Sequence, residues 1–179
     1  PIGIHAQIDV DAALWYVVGN NVLANFDSYY VGKNFYFYRG DASTQFRMIP
    51  WDLGLSFGIF GLGGPGGAPG AGSPVAASPF EHIDEENRPI IRRLLSVPEF
   101  RADYLAHYRD FMAAFYHPVW VDEQGGAYQS LIRPAVEAEV AAQGNVAGTY
   151  SLAQFESNLT EDVMVGGGPR GPRVTPGLR

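Results

Sequence analysis

Residues 61–74, GLGGPGGAPGAGSP, limit this chain more than any other feature, because so dense a run of glycine and proline holds neither a helix nor a strand. Any core must therefore be built from the segments on either side. The run is read as part of a mobile loop over residues 61–79. It lacks the Lys-Ser/Thr ending of a phosphate-binding P-loop and does not sit between a strand and a helix, so no Walker motif is assigned.

Ahead of it, Val10, Leu14, Val17, Val18, Val22, Leu23 and Phe26 recur at helical spacing and predict one helix with one buried face. Asp9 is its expected N-cap, and Asp11 favours the same end through the helix dipole. The helix should stop near Asn25, where Asn25-Phe26-Asp27-Ser28 opens a polar loop. Two aromatic-rich runs follow, residues 34–39 (NFYFYR) and 45–51 (QFRMIPW), separated by the turn-prone Gly40-Asp41-Ala42-Ser43. They predict a β-hairpin, with Pro50 suited to a strand end.

Beyond the loop the pattern is helical. Asn87-Arg88-Pro89 reads as a cap with proline in the first turn, leading into Ile90, Ile91, Leu94 and Leu95. Pro98 opens a longer stretch whose core stripe is Phe100, Tyr104, Tyr108, Phe111, Met112 and Phe115. A third helix is predicted from Glu123 to Gln143 with Tyr128, Leu131, Ile132, Val136 and Val140 as its apolar positions, and Ser151 starts a short fourth around Leu152, Phe155 and Leu159. Residues 166–179 carry three arginines, no acid and many glycines and prolines, and read as a disordered or surface-laid tail. The expectation is one domain over residues 1–165, α+β and mostly α, with one small hairpin.

Charge excludes some functions. Nineteen acids against twelve basic residues, a net charge of −7, do not suit a protein that neutralises a nucleic-acid backbone. No apolar run approaches the roughly 18 residues of a membrane-spanning helix. The absence of cysteine rules out disulfides and thiolate metal sites. His5, His82, His107 and His117 lack metal-ligand spacing, and no Gly-x-Ser-x-Gly elbow signals a serine hydrolase. The chain opens at Pro1 without a leader pattern and is read as a processed form or a fragment.

The candidate chemistry lies in the order Asp27, Asn34, Asp52. Phosphoryl transfer asks a protein mainly to position charge: a loop carboxylate for the acceptor hydroxyl, and oxygen ligands for Mg²⁺ on the triphosphate. With Asp27 and Asn34 before one strand and Asp52 after its partner, a two-strand reversal brings all three to one end of the hairpin. An acid following an apolar strand is costly there unless paired or metal-bound. Against this stand plain structural roles: Asp27 as a turn cap and Asn34 as a strand-edge turn residue. Tyr36, Trp51 and Phe57 are expected in the core. Glu81, Asp84, Glu85 and Glu86 read as a solvated face, or as a lip that selects basic acceptors.

LANFDSYYVGKNFYFYR with FRMIPWDLGLSFG resembles the CotH (spore coat protein H) kinase family, whose usual pattern is an Asp-containing loop, Asn-Tyr-Tyr-Leu-Tyr, then Ile-Pro-Trp-Asp-Leu-Asp and Ser/Thr-Phe-Gly. NRPIIRRLLSVPEFRADYLAHYRDFM is similar to the family's Leu-Leu, Pro-Glu-Phe and Tyr segment. The resemblance covers roughly residues 9–143 and implies an atypical protein kinase with a kinase-like C-lobe. It makes Asp27 the carboxylate acting on the acceptor hydroxyl and Asn34 and Asp52 the metal and nucleotide ligands. It further implies ATP and Mg²⁺, with Mn²⁺ as substitute, a coat or surface protein as acceptor, and a place in the spore coat or at the cell surface. Two departures are visible: Gly54 stands where the family most often has a second Asp, and the loop from Asp27 to Asn34 is longer than usual. Only eight residues precede the first predicted helix, so an N-lobe with its phosphate-binding lysine is expected upstream in a parent protein or lost; Lys33, the chain's single lysine, lies in the wrong segment to replace it. The alternative is a coat or surface structural module that keeps the C-lobe core without catalysis. A carboxylate-pair glycosidase using Asp27 and Asp52 lacks any sign of a sugar cleft.

Overall fold

The computed structural model describes residues 3–59, 73–143, 150–166 and 173–178. The chain is α+β and mostly helical: among the described residues it has five α-helices and two small antiparallel sheets. It divides into two compact units, Pro1–Ala113 and Ala114–Arg179.

In the first unit α1 runs Val10–Val22. Asp9 caps it as predicted, accepting from the Ala12 N–H at 3.1 Å, while its other oxygen accepts from Arg47 Nε at 2.9 Å. The expected single buried face is too narrow a description. Val10, Ala13, Leu14, Tyr16, Val17, Val18, Asn20 and Asn21 are all buried, so the helix is the centre of the core and not a surface element. Strands β1 (Phe35–Tyr38) and β2 (Arg47–Pro50) form the predicted hairpin, with Phe35 opposite Pro50 and Tyr38 opposite Arg47. Pro50 closes β2, where its missing N–H leaves no gap in the ladder. Phe46 ties the hairpin to the start of α1, its N–H donating to Gln7 O and its carbonyl accepting from Asp9 N–H.

Helix α2 is Pro89–Leu95 and α3 is Pro98–Ala114. The residue at the α2 N-cap is Arg88, which makes no side-chain cap. The hydroxyl of Tyr29 serves instead, accepting from the Ile90 N–H at 2.9 Å. Ile91, Leu94, Leu95 and Tyr104 join the α1 core, with Phe100, Tyr108 and Phe111 packed against it. Met112 and Phe115 do not complete that stripe; they are exposed.

Residues 60–72, most of the glycine-rich run, lie outside the described residues. The end of the expected loop is anchored: Ser78 O accepts from Asn21 Nδ2 at 3.0 Å, and Pro79 O from Tyr104 Oη at 2.5 Å.

In the second unit α4 spans Pro118–Gln143, starting earlier than predicted and running through Pro134. Its apolar residues Tyr128, Leu131 and Ile132 are exposed, and Val121 is buried. Helix α5, Leu152–Ser157, begins with the capping box of Ser151 and Gln154. Strands β3 (Val163–Val165) and β4 (Arg173–Thr175) pair antiparallel, so β4 falls within the stretch expected as a disordered or surface-laid tail. Val165 and Thr175 are buried, and Thr175 Oγ1 lies 2.6 Å from Tyr150 Oη.

Candidate functional site

The site grows out of the segment that follows α1. It was expected as a polar loop, yet residues 24–30 are buried throughout. A buried loop must find partners for its own backbone, and this one does. Ala24 O accepts from Gly58 N–H, Asn25 O from Ser28 Oγ, Ser28 O from the N–H groups of Val31 and Lys33, and Tyr29 O from Gly32 N–H. Tyr30 O accepts from Arg88 Nε at 2.5 Å. The Asn25 amide donates to Asn20 Oδ1 at 2.7 Å, and Asn21 bridges Tyr30 and Tyr108 through hydrogen bonds of 3.2 and 2.9 Å. Asn20, Asn21 and Asn25 thus hold the loop inside the core.

Asp27 is 3% exposed. Its Oδ2 accepts from Asn34 Nδ2 at 3.0 Å, and the same amide donates to Asp27 O at 2.6 Å. The Lys33 ammonium stands 2.5 Å from the other carboxylate oxygen, the buried Oδ1. Asn34 extends the hairpin by one step, its carbonyl accepting from Trp51 N–H at 3.1 Å. Asp52 follows Trp51 directly. The two-strand reversal therefore sets Asp27 against Asn34 and carries Asp52 to the same end of the hairpin.

Asn34 (φ 56°) and Asp52 (φ 52°) both adopt left-handed backbone, as do Ala24 (φ 46°) and Phe57 (φ 61°). Four such residues other than glycine fall in the segments that meet here, and His82 is the remaining one among the described residues. Asn and Asp tolerate this region better than Ala or Phe. Phe57 and Gly58 are held in place by hydrogen bonds from their N–H groups to Leu23 O (2.6 Å) and Ala24 O (3.3 Å). Backbone strain of this kind persists only where the surroundings enforce it.

Two expectations are corrected. Asp52 is exposed, so the cost of burying an acid gives no argument for a metal on it. Tyr36, Trp51 and Phe57 are exposed as well, and not in the core; Tyr36 and Trp51 meet edge to face at 5.7 Å beside Asp52. A Cβ added at Gly54 would lie 3.7 Å from Asp52 Oδ1, in ordinary contact.

The donor set suits a hard cation of low protein coordination. With its nitrogen spent on Asp27, the Asn34 amide offers its oxygen, and Asp52 offers an accessible carboxylate. Mg²⁺ is typically bound by one or two such groups together with water and phosphate oxygens. Among the described residues no three His, Cys, Asp or Glu side chains gather as an all-protein metal cluster. His82 and His107 are engaged with Glu85 (2.5 Å) and Asp11 (2.7 Å). In the acidic run, Asp84, Glu85 and Glu86 are exposed and Glu81 is half-buried, and Glu86 lies 3.6 Å from Arg92.

The family model for CotH kinase protein matches residues 2–162 of the 179. The chain belongs to the CotH kinase family. No curated protein matches it significantly, and no solved structure does. Within the CotH match lie the buried loop, the hairpin and α2, and with them three residues that sequence reasoning gave no part in the site: Lys33, which meets Asp27, and Tyr29 and Arg88, which fasten the loop to the start of α2. The signal for Lys33 was its position directly before Asn34. Nothing local marks Tyr29 or Arg88, whose partners are about sixty residues away. No helix among the described residues is long and apolar enough to cross a membrane.

Proposed function

We propose that this CotH-family chain is a phosphotransferase with a kinase-like C-lobe, moving the γ-phosphoryl group of ATP to a hydroxyl of a protein, with a coat or surface protein as acceptor. The observation that carries the reading is the pairing of a buried carboxylate, Asp27, with Asn34 at the hairpin end that also bears Asp52. In the reaction the acceptor oxygen bonds to the γ-phosphorus, the bond to the bridging oxygen breaks, and ADP leaves with the electron pair. Asp27 takes the acceptor proton, and the Asn34 amide keeps its carboxylate oriented. Asn34 Oδ1 and the Asp52 carboxylate would hold Mg²⁺, which when bound offsets the charge of the triphosphate.

Gly54 favours a second reading, a structural module of coat or surface that retains the fold without catalysis, because it removes the family's usual second acid beside Asp52. Thermal unfolding with Mg²⁺ and ATP separates the two, since a ligand selective for the native state raises its stability by mass action. A rise in Tm that disappears in Asp52→Ala is expected of the phosphotransferase. No rise in either protein supports the structural module.

A further inference from the structure

Both carboxylate oxygens of Asp27 are covered, and the two covers differ in kind. The Asn34 amide is pinned twice to Asp27, and its backbone is part of the ladder. The Lys33 side chain is 48% exposed and reaches Oδ1 on a flexible four-carbon stem. An acceptor hydroxyl therefore reaches Asp27 only when Lys33 leaves. The carboxylate of the pair is buried, so the ammonium leaves it only for a stronger anionic partner. A competing polyanion is the partner that would draw it off, since a phosphate chain offers several charged oxygens to the same ammonium.

We infer that Lys33 is an anion-operated latch: it caps Asp27 in the ligand-free protein and transfers its ammonium to the phosphates of the bound donor, which uncovers the carboxylate for the acceptor. The inference rests on the reading of Asp27, Asn34 and Asp52 as a phosphoryl-transfer site. It gives Lys33 a positioning role, coupling donor occupancy to acceptor access, so that the site is not open to water or acceptor before the donor arrives.

Because Lys33 is the chain's single lysine, acylation by an amine reagent followed by mass spectrometry reads it against the α-amine alone. In Asp27→Asn its acylation should be several-fold faster than in the wild type. Inorganic tripolyphosphate, used as the probe without metal, should bind the wild type and Lys33→Arg alike, and Lys33→Met about tenfold more weakly. The Asp27→Asn/Lys33→Met pair, which leaves no uncompensated buried charge, should bind as weakly as Lys33→Met and serves where that variant folds poorly. In phosphotransfer, Lys33→Met should raise the KM for ATP with little change in kcat, since its Asp27 is already uncapped. Tripolyphosphate binding that is absent from the wild type, or as tight in Lys33→Met and the double variant as in the wild type, overturns the latch, as does equal acylation with and without the Asp27 carboxylate. Phosphotransfer by Asp52→Ala is measured in parallel: its loss alongside unchanged probe binding in Lys33→Met rejects the latch alone, whereas its retention rejects the site.

Discussion

Asp27 concentrates the energetics of the site in one side chain. Removing it in Asp27→Ala strands the second hydrogen bond of the half-buried Asn34 amide and leaves the Lys33 ammonium without its carboxylate. A cost of about 1–3 kcal/mol is expected, the range for a buried polar group left unsatisfied, read as a lower urea midpoint; Asp27→Asn, which keeps an acceptor, should lose less. Gly54 makes a complementary case. Its neighbourhood admits a side chain, with Asp52 Oδ1 at 3.7 Å from the added Cβ. Gly54→Asp should tighten Mn²⁺ binding about tenfold through a second carboxylate, measured by metal titration, and unchanged affinity would argue that Asp52 is no metal ligand. At this scale the sequence was legible where chemistry is local: Asp9 as N-cap and Pro50 at a strand end. It was not legible for Ala24 and Phe57, whose conformations are imposed by hydrogen bonds between Leu23-Ala24 and Phe57-Gly58 across about thirty residues.

At the scale of elements, the buried loop and α2 stabilise each other. Tyr29 supplies the cap that Arg88 does not, and Arg88 in turn donates to Tyr30 O. Tyr29→Phe removes the acceptor for one N–H of a helix start while leaving the ring in place. It should cost about 1 kcal/mol and speed amide exchange at Ile90; unaltered exchange there would show that the hydroxyl does not cap the helix. The hairpin itself was readable from two aromatic runs about a four-residue turn. Its orientation was not, because both faces of β1 are aromatic: Tyr36, Phe37 and Tyr38 are all exposed, and the burial expected of Tyr36 and Trp51 had no alternating pattern to support it. The same holds for α4, where Tyr128, Leu131 and Ile132 recur at helical spacing yet stay exposed, since periodicity marks an apolar face without supplying the surface that covers it.

Across the whole molecule, the first unit is organised around buried tyrosines. Burial raises the phenol of Tyr16 from 10.0 to about 12 and pushes Tyr29, Tyr30, Tyr104 and Tyr108 upward as well. A raised phenol favours the neutral form in the folded state, so its stabilising effect is complete below pH 10.0 and is lost as pH rises toward 12 for Tyr16. Alkaline titration should therefore show tyrosinate absorbance growing together with loss of helical circular dichroism; ionisation of all ten tyrosines at their ordinary pKa with the helices intact would contradict this. The mostly helical α+β class and the family resemblance were legible in the sequence because the aromatic runs, Ile-Pro-Trp-Asp and Pro-Glu-Phe carry them within short windows. The pairing of β4 with β3 was hidden by glycine and proline around a three-residue strand. Phosphoryl transfer at the hairpin end that bears Asp27, Asn34 and Asp52 is decided by following the γ-phosphoryl label of ATP into protein in the presence of Mg²⁺, using the longest obtainable form of the protein. Label incorporation that is lost in Asp52→Ala is the predicted result, and incorporation that is absent, or equal in wild type and variant, would contradict transfer at this site.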